Sequence, residues 1–227
     1  CRVTSTFVLK LKKKSKISKF VTNNKKTLAI RFPKQRLVRK LIKNLDYPLA
    51  APSANISTKL SSVKASDVKE EFGNKIKFVL DGGKCKIGIE STIINLTRKP
   101  EILRLGGIEN SKIKKVLKKQ LIININPSKK NAPGQSKLHY SPGIPLRMNA
   151  LKSKKGEAYI ALKKKNNKNK DFFYLSKSGN LSEAAKNLYS ILRKVKKKGY
   201  KSIAIEKIID YGIGQSINDR LNRAAKK

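Results

Sequence analysis

The chain has 227 residues, is 38% hydrophobic, and sets 55 Lys and Arg against 14 Asp and Glu, for a formal net charge of +41. That length and apolar content suffice for one large or two modest cores. The sequence contains no bilayer-length apolar run and no charged start followed by an apolar stretch and a cleavage site, which argues against a membrane span or an export signal and favours a cytoplasmic chain.

The basic residues comprise 45 Lys and 10 Arg, spread over every segment. A basic surface attracts phosphate backbones, but a Lys-rich composition without a stripe is explained equally well by compositional drift. Runs such as "KLKKKSK", "ALKKKNNKNK" and "KVKKKG" read as solvated faces and loops. Cys1 and Cys85 offer neither a disulfide framework nor a metal-ligand spacing. The chain opens at Cys1, without methionine, inside a strand-like stretch, and further sequence is expected upstream.

In chain order, "TFVLKLK" and "KTLAIRF" predict strands, with a short helix in "SKISKFVT" between them. Residues 35–45 place Leu37, Val38, Leu41, Ile42 and Leu45 on one helical face. "PLAA" is expected as a short buried strand. "SDVKEEF" predicts a helix with Ser66 and Asp67 as cap candidates and Gly73 as its stop. "IKFVLD" reads as a strand entering the Gly82-Gly83 turn. "STIINLT" and "EILRL" follow as strands, and "NSKIKKVLKKQL" as a helix starting at Asn110 or Ser111.

From about residue 126 the periodicity stops, and the prolines and glycines of "NPSKKNAPGQSKLHYSPGIP" predict a linker. Strands "EAYIAL" and "DFFYL", a helix from about Ser182, strand "KSIAIEKI" and a last helix "QSINDRLNRAA" make a second α/β unit. In it Ala184, Leu188, Ile191, Leu192 and Val195 fall three and four apart. The expected fold class is α/β: a twisted mixed sheet with helices over 1–125, a linker or lid over 126–146, and a small open α/β sheet over 147–227.

Familiar catalytic groupings are scarce. His139 is the single histidine, and neither Cys85 nor any serine sits in a nucleophile elbow; phosphate-loop and dinucleotide fingerprints are missing. What remains are small residues and hydroxyls at strand ends: "KTLAIR", "APSAN", "LSS", "DGG", "GIEST" and "ILRLGG". They suit a site that orients substrates and leaves the reactive groups to them. "PLAAPSAN" closes on Pro48, Ala50, Ala51, Pro52 and Ala54, which leaves space beside the backbone with Ser53 and Asn55 as its polar groups.

"RFPKQRLVRKLIKNLDYPLAAPSANIS", "VLDGGKCKIGIESTIINLT", "PEILRLGGI" and "APGQSKLHYSPGIP" resemble, in order and spacing, the YrdC-like family of threonylcarbamoyl-AMP synthases. The linker and "GIGQSINDRLNRAA" resemble its long form, which adds a Rossmann-like second domain. The resemblance implies that L-threonine, bicarbonate and ATP, assisted by Mg²⁺, give threonylcarbamoyl-AMP and pyrophosphate for tRNA modification. It leaves tRNA or a downstream transferase as a further partner.

It also implies ATP contacts at Thr27, Ser53, Ser61, Arg104 and Tyr140, and threonine contacts at Arg31, Ala51 and Ser91. No protein side chain is assigned as catalyst or metal ligand. Arg31 would hold the threonine carboxylate, and Tyr140 would fold over the ATP site as part of a lid. Glu90 points away from Ser91 on an extended strand and is a poor base; His139 and Cys85 read as structural. The family has Gly and Pro where this chain has Thr58 and Leu60, so the shape of the Ser61 loop differs. Family residues that grip the triphosphate lie upstream of Cys1, so this polypeptide is expected to be a poor catalyst. A carbamoyl-adenylate-forming domain of a carbamoyltransferase and a basic RNA-binding module are the alternatives.

Overall fold

A computed structural model describes residues 3–127, 132–136, 139–166 and 169–226. In chain order its elements are β1 (Val3–Lys10), α1 (Lys19–Thr22), β2 (Thr27–Pro33), α2 (Arg36–Lys43), α3 (Ala65–Phe72), β3 (Thr92–Asn95), β4 (Glu101–Arg104), α4 (Asn110–Leu117), β5 (Ile122–Ile123), β6 (Leu146–Arg147), β7 (Glu157–Lys163), β8 (Phe172–Ser176), α5 (Leu181–Lys197), β9 (Ser202–Ile205) and α6 (Ile213–Ala225). The fold class is α/β with two sheets. By contact the chain divides into a mixed-sheet unit, Arg2–Pro52 with Glu90–Gln135, and a parallel-sheet unit containing Ser53–Ile89 and Ser136–Lys227. This grouping differs in kind from the sequential division into 1–125, 126–146 and 147–227. Residues 128–131 and 137–138 of the expected linker lie outside the described residues.

In the mixed-sheet unit the strand order is β2-β1-β3-β4-β5. β1 runs antiparallel to β2 and parallel to β3, while β4 is antiparallel to β3 and parallel to β5. β3 and β4 carry consecutive buried apolar pairs, Ile93–Ile94 and Ile102–Leu103, of which Ile94 and Ile102 enter a core with Leu105 and Ile113 of α4, against which Phe7 packs.

The parallel-sheet unit has the order β6-β9-β7-β8, every pairing parallel. A parallel strand covered on both faces needs a continuous apolar run, and Ala158, Tyr159, Ile160 and Ala161 of β7 are all buried. α5 lies on this sheet through Ala184, Leu188, Leu192 and Val195. Asn180 accepts from the Glu183 N–H at 2.9 Å and starts the helix, while Lys194, Lys196 and Lys197 sit where the carbonyl end of the dipole favours cations. The 53–89 segment is mounted on α5: Gly88 lies so close to the Ala185 and Lys186 carbonyls that a Cβ would not fit, and Lys84 donates to Asn187.

Three expectations are corrected. "PLAA" forms no strand; Leu49 and its neighbours are exposed coil. "IKFVLD" is also coil, with Phe78 88% exposed. Its apolar character is strand-like, but no ladder is offered to it among the described residues, and a strand without a partner does not form. α3 begins at Ala65, one residue before the suggested cap. Asp67 acts from inside the first turn, accepting from the Val63 and Lys64 N–H groups at 2.9 and 3.2 Å. α2 is helical as its periodicity predicts, yet has no buried residue.

Candidate active site

The mixed-sheet unit builds a polar corner from residues of four neighbouring strands. Arg31 on β2 stands opposite Thr6 on β1, and the Thr6 hydroxyl lies 2.8 Å from the hydroxyl of Ser91, just before β3. Arg104 closes β4 and is buried. Its Nε donates to the Ser91 carbonyl at 3.1 Å and one Nη to the Ser91 hydroxyl at 3.0 Å, while the other reaches the Pro133 carbonyl at 3.4 Å. A guanidinium fork bonding both the backbone and the hydroxyl of one serine leaves that serine a single orientation.

Close backbone approach holds the corner together. Gly107 N–H donates to the Glu90 carbonyl at 3.1 Å, and the Thr92 hydroxyl both donates to the Ile108 carbonyl and accepts from its N–H. At Gly106 a Cβ would collide with Thr92 N and the Ser91 carbonyl carbon and stand 2.5 Å from Glu90 O. The "LRLGG" turn therefore zips against "GIEST". From 132–136, Gln135 donates to the Leu103 carbonyl at 2.8 Å and accepts from Ala132 N–H. Thr27 and Arg31 share a face of β2, four residues and about 13 Å apart. Ala51 is exposed coil.

The parallel-sheet unit carries Ser53, Ser61 and Tyr140. Ser53 is exposed and Ser61 half-buried in the 54–63 loop. Tyr140, 1% exposed and with φ 62°, has its ring stacked on Tyr189 at 5.8 Å and beneath the Arg220 guanidinium at 5.2 Å. Asp219 is shared: its two oxygens accept from Arg220 at 2.7 Å and Arg223 at 2.9 Å, and Arg223 also donates to the Ser136 carbonyl. The tyrosine is thus seated in the core of its own unit. Cys85 is a buried thiol in that same core, as expected of a packed side chain.

Residues 4–106 match the Sua5_yciO_yrdC family, described as telomere recombination, and residues 108–226 match Sua5_C, described as threonylcarbamoyl-AMP synthase, C-terminal domain. The threonylcarbamoyl-AMP synthase of Pyrococcus abyssi is 33% identical over 96% of this chain and 69% of its own length. The chain belongs to the threonylcarbamoyl-AMP synthase family. Synthases of that name from Schizosaccharomyces pombe and Bacillus subtilis are 30% and 31% identical, each over 92% of this chain, which spans 60% and 66% of their lengths. The crystal structure of Pyrococcus abyssi Sua5 complexed with L-threonine superposes with a TM-score of 0.84 at 31% identity, covering 97% of this chain and 70% of that one.

The sequence pointed to Arg31, Ser91 and Arg104 but not to Thr6, whose part depends on the β1–β3 register. Among the described residues no three His, Cys, Asp or Glu side chains cluster to hold a metal, and no helix is long and apolar enough to cross a membrane.

Proposed function

We propose that this protein is an L-threonylcarbamoyladenylate synthase acting in the cytoplasm on L-threonine, bicarbonate and ATP. Bicarbonate takes up a proton and loses water to give carbon dioxide, which the threonine amine takes up, releasing a proton, to give a carbamate. A carbamate oxygen then bonds to the α-phosphorus while the bond from that phosphorus to the bridging oxygen breaks, and pyrophosphate leaves with the electron pair. The reacting groups all come from substrates, so the protein's share is orientation and charge stabilisation.

The observation that carries the reading is the Thr6–Ser91–Arg104 network beside the Arg31 position. A fixed Ser91 hydroxyl and the Arg31 guanidinium on the same sheet suit an amino acid's polar groups and its carboxylate. The L-threonine in the Pyrococcus abyssi Sua5 structure supports threonine as the amino-acid substrate. Thr27, Ser53, Ser61, Arg104 and Tyr140 are assigned to ATP, and Arg31, Ala51 and Ser91 to threonine; Tyr140, packed against Tyr189 and Arg220, would act as part of a lid only on leaving that seat. Mg²⁺ is assigned to the triphosphate it arrives on, since Mg²⁺ is commonly held by substrate phosphates and water. The product would serve tRNA modification.

The test is pyrophosphate release that requires threonine, bicarbonate and ATP together. Arg31→Met should raise the threonine KM by roughly 10- to 100-fold, the equivalent of one charge-assisted hydrogen-bond pair, with a smaller change for ATP. Release independent of threonine would overturn the proposal.

A further inference from the structure

Residues 54–63 contain no helix or strand, yet side chains tie their backbone at nearly every step. The Ser62 hydroxyl donates to the Ala54 carbonyl at 2.7 Å, and the Asn55 amide donates to the Ile56 and Lys59 carbonyls at 2.9 and 3.4 Å. Ile56 N–H donates to Glu71 at 2.7 Å, and Ser141 N–H to the Thr58 carbonyl at 2.8 Å. Thr58 has φ 68°. A β-branched residue there is strained and persists only when its surroundings over-determine it.

One side chain joins these ties. Arg193 of α5 donates from a single Nη to the Leu60 carbonyl at 2.7 Å and to Glu71 at 3.2 Å, while its Nε faces Asp67 at 4.0 Å. Glu71 holds Ile56 and Asp67 holds Val63. A single planar cation therefore acts on the start, middle and end of the loop, from a residue 133 positions further along the chain.

We infer that Arg193 is a positioning residue for the nucleotide: it sets the loop backbone from which Ser53 and Ser61 are presented, so that α5 shapes ATP binding without touching ATP. This rests on the proposed assignment of Ser53 and Ser61 to ATP. Lysine is only a partial substitute, because a single ammonium nitrogen can serve the Leu60 carbonyl and Glu71 together but offers no second nitrogen to face Asp67.

The test is calorimetric titration of the full-length protein with α,β-methylene-ATP and, separately, with threonine, alongside amide exchange over residues 54–63. Arg193→Met should weaken the nucleotide by about tenfold, less than the ~100-fold that a 1 Å misplacement costs. It should also speed exchange in the loop and leave threonine affinity at the wild-type value, with Arg193→Lys intermediate. Unchanged nucleotide affinity in Arg193→Met, with Ser61→Ala weakened, would overturn the role of Arg193 and leave the ATP assignment standing. Ser53→Ala and Ser61→Ala both binding like wild type would overturn the assignment and the inference with it. Parallel loss of both ligands would mark Arg193 as merely structural and also overturn it. Should Arg193→Met not fold, Glu71→Gln keeps an acceptor for Ile56 and loses the charge that holds Arg193; loop exchange and nucleotide affinity unchanged in that variant would count against the inference.

Discussion

Gly106 leaves no space for even one carbon. The atoms in the way are backbone atoms of residues 90–92, which cannot swing aside as a flexible side chain would. Gly106→Ala must therefore separate the "LRLGG" turn from Ser91, and is expected to cost about 3 kcal/mol, read by urea unfolding. Its threonine affinity should fall as well, because Arg104 can no longer reach both atoms of Ser91. The glycine pair was visible in the sequence as a turn; the reason for it was not, since it lies in a segment 14 residues earlier. Arg104 by itself reads as a solvated strand-end arginine, and its burial at 7% exposure follows only from the β3–β4 pairing. Thr58 was legible as a departure from the family's glycine, and its left-handed φ gives the physical reason a glycine is favoured there.

Elements whose signal is local were read well. β7 carries a continuous apolar run, and α5 and α6 carry their periodicity within a dozen or so residues; buried Ala184, Leu188, Leu192 and Val195 follow it. β5 and β6 are two residues each, too short to leave a pattern. The apolar run "IKFVLD" shows the converse: composition without a pairing partner makes no strand. At the start of β7, Glu157 is buried, which alone would raise its pKa. Arg147 at 2.7 Å and the Lys154 N–H at 2.9 Å outweigh that and hold the carboxyl below its ordinary 4.5. Glu183 in the first turn of α5 is also held low, chiefly by the Ser176 hydroxyl. A depressed carboxylate contributes its stability above the unfolded value and loses it as pH falls through the folded one. Stability should therefore decline as pH drops below 4.5. Glu157→Gln should cost on the order of 1–2 kcal/mol at pH 7 and flatten that acid limb, checked by urea midpoints from neutral to acid pH. An acid limb as steep as wild type would show that Glu157 is not the group responsible.

Across the whole molecule, 14 acidic residues can neutralise at most 14 of the 55 basic ones, leaving 41 positive charges in mutual repulsion. Raising salt from about 0.1 M to about 1 M shortens the screening length from about 10 Å to about 3 Å. The melting temperature should accordingly rise by a few degrees in sodium chloride, although surface pairs such as Lys197–Glu70 weaken at the same time. A fall would mean that the charges are arranged as attractive pairs to a degree their numbers do not suggest. The interleaved grouping of segments also bears on how the protein is made. The mixed-sheet unit has its last segment once Gln135 has been synthesised, whereas Ser53–Ile89 belongs with Ser136–Lys227 and stays without its sheet until β9 follows. A nascent chain stalled on the ribosome with Gln135 clear of the exit tunnel should then resist protease around β1 to β4 while being cut readily within 53–89, the stretch that meets ATP in the proposed enzyme.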